Sequence, residues 1–102
     1  MPRTTRKLTA ASIRRRARGA SRRPITVVCS ETASWRINDA ILSACGYGVQ
    51  PIWRIGLRTH RIARIPRHMA LLALAWLLDL GQPQDYETRQ ATSALILSLR
   101  LR

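Results

Sequence analysis

Met69–Leu80 is a run of twelve residues in which Asp79 is the only charged group, entered from Arg67–His68 and followed by Gly81. Its leucines and alanines favour a helix, with a start after Pro66 and a stop at Gly81 and Pro83. On a helix these apolar groups fall on every side of the cylinder, so the segment has no solvent face of its own. A core, a partner or a membrane surface must cover it. A spanning helix needs about 20 apolar residues, so no transmembrane segment is expected, and this run is the hydrophobic centre of any fold.

The chain that must do the covering has 102 residues and a net charge of +13. Residues 1–24 carry Arg3, Arg6, Lys7, Arg14, Arg15, Arg16, Arg18, Arg22 and Arg23 without an acid, so the charge divides as +9 there and +4 over the remaining 78 residues. With Leu8 and Ile13 as its main large apolar groups, this segment has little surface to set against its ordering entropy. It is expected to be a disordered basic arm outside the packed core, with Leu8 to Arg18 turning helical on a partner. The fold class that follows is mainly α: a disordered arginine-rich arm over residues 1–24, then a small domain of two or three helices over residues 25–102 with one short strand.

The strand is Ile25–Cys29, a short β-branched run. Ser30 then caps a helix with Glu31 in its first turn, Ala33, Ile37, Ala40, Ile41 and Ala44 at helical spacing, and Gly46 as its stop. Residues 46–51 are a turn-rich connector, and Ile52–Ile55 is a candidate second short strand. The tail is ambiguous. Asp85 can cap a helix from Tyr86 to about Leu97, yet Leu95, Leu97, Leu99 and Leu101 alternate with other residues in strand fashion; the intrinsic preference of Leu and Ala favours the helix.

Seventeen of the eighteen basic residues are arginine, whose guanidinium binds phosphate bidentately and stacks on bases. Arg14, Arg15, Arg16, Arg18, Arg22 and Arg23 therefore make a candidate nucleic-acid-binding cluster, with RNA favoured over DNA because such arms read shape and single strands. A second stripe is expected from Arg58, Arg61 and Arg64, which recur at every third position in a stretch free of acids from Asp39 to Asp79, with Trp53 as a stacking platform. The bland counterparts are a solvated tail and a solvated basic loop. Leu71, Leu74, Leu78 and Leu80 have the spacing of leucine-rich nuclear export signals, and an arginine-rich arm before such a signal resembles the layout of retroviral RNA-export proteins. Most leucine stripes of this kind are core.

Other classes find less support. Cys29, Cys45, His60 and His68 lie 16, 15 and 8 residues apart, without the close pair that structural zinc sites use, so no metal and no cofactor is expected. Two cysteines cannot frame a small secreted domain, which points to a reducing intracellular compartment. Phosphate-binding, metalloprotease and nucleophile-elbow motifs are missing, so the chain is not expected to be an enzyme. The leading expectation is a nucleic-acid-binding accessory protein. The runner-up is an interaction protein with peripheral membrane contact through Met69 to Leu80, or one sent to mitochondria by residues 1–24, whose Arg-rich, Ser-rich, acid-poor composition is that of a transit peptide. Self-association is a further way to cover the apolar run. A reading frame translated without selection would share the arginine bias and the lack of Phe, and would have no consistent fold.

Overall fold

The computed structural model describes residues 8–46, 48, 50–81 and 84–101. Along the chain these form α1 (Ala10–Arg18), β1 (Pro24–Cys29), α2 (Glu31–Cys45), β2 (Arg54–Ile55), a 3-10 turn (Leu57–Thr59), β3 (Arg61–Pro66), α3 (Arg67–Asp79) and α4 (Tyr86–Leu99). The architecture is mainly α, as composition and periodicity imply. It has four helices and a three-stranded sheet, where two or three helices and a short strand were expected.

α3 explains the surplus. Met69, Ala70, Leu71, Ala73, Leu74, Ala75 and Leu77 are all buried, and α1, α2 and α4 pack round it. The export-signal leucines divide accordingly, with Leu71 buried in the core, Leu78 packed against it and Leu80 exposed. The expectation that residues 1–24 lie outside the core is therefore corrected for its described part. Ile13 and Ala17, four apart on one side of α1, are buried, and Leu8 packs against the same core. Nine residues are too few for a stable helix in water, so α1 owes its form to this docking and to its caps. Thr9 Oγ1 accepts from the Ser12 N–H at 3.1 Å and Ser12 Oγ from the Thr9 N–H at 3.2 Å, a reciprocal capping box. Arg15, Arg16 and Arg18 occupy the last turn, where the helix dipole favours cations.

The other helices begin and end on the expected signals. Ser30 and Asp85 accept hydrogen bonds from the N–H groups of Ala33 and Thr88. Gly46, with φ 88°, follows α2. α4 ends later than expected: Arg100 takes the left-handed conformation usual for glycine, the Leu101 N–H reaches Ile96 O at 3.1 Å, and Leu101 folds back into the core. Its leucines follow helical burial, with Leu95 and Leu99 inside and Leu97 outside.

In the sheet, order β1-β3-β2, both pairings are antiparallel. The central strand is the segment expected to be a basic stripe or loop. Arg23 O accepts from the Arg67 N–H at 3.0 Å, which makes 23/67 a hydrogen-bonded pair and, by alternation, leaves Pro24/Pro66 in a non-hydrogen-bonded one. Two prolines thus face each other where neither is asked to donate. Val27, Cys29, Ala63 and Ile65 point into the core. Thr26, Val28, Ile62 and Arg64, paired across the strands, form the opposite face.

Candidate nucleic-acid interface

α1 and the segment after it run along α3. Arg14 forms an ion pair with Asp79 at the C-terminal end of α3, and Arg23 bonds to Arg67 at its N-terminal end. Between these points Arg15, Arg16, Arg18, Arg22 and Arg23 are exposed, and none has an acidic partner among the described residues. Arg14 is thus held back from a ligand by its ion pair, whereas the other five members of the first cluster are exposed without one.

The track continues onto the sheet. Arg64 stands directly opposite Thr26, two residues along from the Pro24/Pro66 pair. Arg54 on β2 stands opposite Ile62, so Arg54 and Arg64 are diagonal neighbours on one face, about 7–8 Å apart. Both are exposed. They flank a groove of about 470 Å³ whose other walls include Pro51, Ile52, Ile65 and Met69, with Gln50 and Thr26 as its uncharged polar groups. β2 ends at Arg54 while β3 runs on to Pro66, and this mismatch in strand length opens the groove. Arg54 was overlooked as a site residue, although its alternation with Ile55 is that of a strand.

The second stripe does not survive as a unit. On a strand, positions three apart fall on opposite faces. Arg61 accordingly turns to the side of Cys29 and pairs with Glu31, whereas Arg64 faces outward. Arg58 sits in the turn before β3, in a left-handed conformation with φ 55°, at the other end of a strand about 20 Å long. Arg67 closes α4 by donating to Leu99 O at 3.3 Å. Trp53 is no stacking platform either: it is half-buried, packs on the core and donates its indole N–H to Asn38 Oδ1 at 2.8 Å. Among the described residues the exposed aromatics include Trp35 on α2, at 58 %, and Tyr86 on α4, at 62 %, neither of which sequence reasoning singled out for stacking.

The nucleophilic and titratable groups are scattered. Cys29 is buried, and that burial pushes its thiol up to about 11, against a smaller lowering by the nearby Arg61. A thiol so held is protonated and inert at neutral pH. Cys45 is exposed. Among the described residues no three His, Cys, Asp or Glu side chains group as metal ligands, and no helix is long and apolar enough to cross a membrane. No protein-family model, no curated protein and no solved structure matches the chain.

Proposed function

We propose that the protein is a small nucleic-acid-binding accessory protein that holds single-stranded RNA along the track from Arg15 to Arg64. The observation that carries this reading is that Arg15, Arg16, Arg18, Arg22, Arg23, Arg64 and Arg54 are all exposed and none has an acidic partner among the described residues. Arginine forks at successive positions suit a phosphate backbone, which supplies affinity without sequence preference. RNA strands are favoured over duplex because the apolar groove beside Arg54 and Arg64 gives an unstacked base a place to leave water.

The test is fluorescence anisotropy with a labelled oligouridine against salt. Neutralising five to seven phosphates gives a log-log slope of about −3 to −5 on a single strand. Replacing Arg15, Arg16, Arg18, Arg22 and Arg23 by Gln should remove most of the affinity, whereas Arg58→Gln should change it little. An affinity independent of salt, or one unaltered in the fivefold variant, rules the reading out.

A further inference from the structure

β1 is an edge strand, and its outer side is chemically unfinished. The Arg67-to-Arg23 bond and the register with β3 place Ile25, Val27 and Cys29 in hydrogen-bonded pairs, so the N–H and C=O groups of Thr26 and Val28 point away from β3. The central strand agrees: its even residues turn to the other side, where His60 O accepts from the Gly56 N–H at 2.7 Å. No turn, cap or side-chain bond among the described residues engages the backbone of Thr26 or Val28. Across from this edge stands α4, and the two enclose a groove of about 660 Å³. Three large apolar groups stand exposed along it: Val28 at 47 %, Tyr86 at 62 % and Leu97 at 76 %.

We propose that this groove receives an extended segment of a partner protein, apolar at alternate positions and acidic between them, as a fourth strand beside β1. The unpaired donors and acceptors repeat along the strand at about 6.6–6.8 Å, the two-residue period of an extended polypeptide, and strand addition satisfies them while alternate side chains enter pockets on one side. Those side chains would meet Tyr86, Ser93 and Leu97 on α4. The sign of the partner follows from the lining: Arg89 and His60 contribute to it and no acid does, and Arg22 and Arg23 lead into the strand. A second copy of the chain brings +13 of the same charge to the same edge, which disfavours β1-to-β1 pairing. RNA can offer ribose hydroxyls to the free carbonyls of Thr26 and Val28, but not the alternating row of N–H and C=O groups that matches a strand edge.

The experiment is fluorescence polarisation at physiological salt with a labelled nine-residue peptide of alternating valine and glutamate. The protein should bind it saturably, and the same peptide N-methylated at alternate residues should bind at least about tenfold more weakly, since each lost hydrogen bond costs about 0.5–1.5 kcal/mol. Val28→Pro removes an edge donor without touching the ladder to β3 and should weaken binding about as much, as should Leu97→Asp, with unchanged circular dichroism. Replacing Arg15, Arg16 and Arg18 by Gln should leave peptide affinity unaltered, and Val28→Pro should leave oligouridine affinity unaltered. Equal binding of methylated and unmethylated peptides overturns the proposal. So does binding lost only when the α1 arginines are replaced, which makes it charge attraction alone, and so does sedimentation showing a dimer broken by Val28→Pro.

Discussion

The docking of α1 can be tested at a single side chain. Ile13 is fully buried between α1 and α3, and Ile13→Ala deletes side-chain carbons worth about 0.8 kcal/mol each in transfer, with a cavity added; the total falls at about 2–5 kcal/mol. A helix of nine residues has no independent stability to fall back on, so once that loss exceeds what docking contributes, α1 lets go and the cost stops growing. The two regimes differ in urea titration followed by tryptophan fluorescence and far-ultraviolet circular dichroism. If α1 stays docked, the midpoint falls at constant slope. If α1 is released, the helical signal before the transition drops and the slope decreases, because less surface remains to be exposed. Arg16→Ala, one turn away on the exposed side, should shift stability by less than about 0.5 kcal/mol. An Ile13→Ala protein within about 0.5 kcal/mol of the parent, with its helical signal intact, would refute the docking and restore residues 8–24 to the status of a free arm.

Trp53→Ala should lower thermal stability while leaving oligouridine affinity unchanged, because its indole is engaged with Asn38 and the core; a selective loss of affinity, read by anisotropy, would return it to the binding surface. Asp85 has its carboxyl held below its ordinary value of 3.8 by the side-chain and backbone hydrogen bonds of Thr88, with help from Arg36 and Arg89 against a small desolvation cost. A depressed folded-state value means that this stabilisation is present above pH 3.8 and is lost as pH falls through the lower folded value, so Asp85→Asn, which keeps a capping side chain, should flatten that part of the acid limb in melting-temperature measurements. Leu74→Ala in α3 should cost about 2–5 kcal/mol in urea denaturation, and folded protein should not co-sediment with neutral phosphatidylcholine vesicles, since its apolar residues already face α1, α2 and α4; co-sedimentation in the folded state would favour the membrane-contact reading.

What the sequence made legible were elements whose signals are local. Ser30 with Glu31, Asp85, Gly46 and Gly81 mark the ends of three helices within one or two residues, because caps and stops act through bonds spanning three or four positions. The packing of residues 8–24 was illegible for a different reason. Averaged over 24 residues, the segment is too polar to fold, yet α1 turns its few apolar groups, Ile13 and Ala17, to one side and packs them with Leu8 against the core. The clue lay in α3, which demanded cover on more sides than two helices could give. In the basic stretch, the three-residue rhythm of Arg58, Arg61, Arg64 and Arg67 obscured the two-residue rhythm of Ile62, Arg64 and Pro66. Arg61 keeps the strand's alternation, on the same face as Ala63 and Ile65, and its charge there is met by Glu31, thirty residues earlier. That pairing is tertiary and leaves no local trace. For the candidate surface the arginines of α1 were legible from composition, whereas the groove depends on β2 stopping short of β3.

The placement of the few acids ties the fold to its charge. Glu31, Asp79 and Asp85 each pair with an arginine of another element: Arg61 of β3, Arg14 of α1 and Arg36 of α2. These are exposed pairs of modest strength individually, but each joins parts of the chain distant in sequence, and two of the acids also stand at helix N-termini, where a carboxylate is favoured in any case. With three of the five acids committed to joints between elements, leaving Asp39 and Glu87, most of the arginines outside those joints have no acidic partner among the described residues. Arg15, Arg16, Arg18, Arg22, Arg23, Arg54 and Arg64 are all exposed, and under the proposed function their repulsion is a cost that the folded state carries until a polyanion relieves it. If the protein binds a polyanion there, as proposed, binding and folding are coupled. Such a ligand should raise the melting temperature with the logarithm of its concentration above Kd, and the increment should shrink with added salt as the same repulsion is screened.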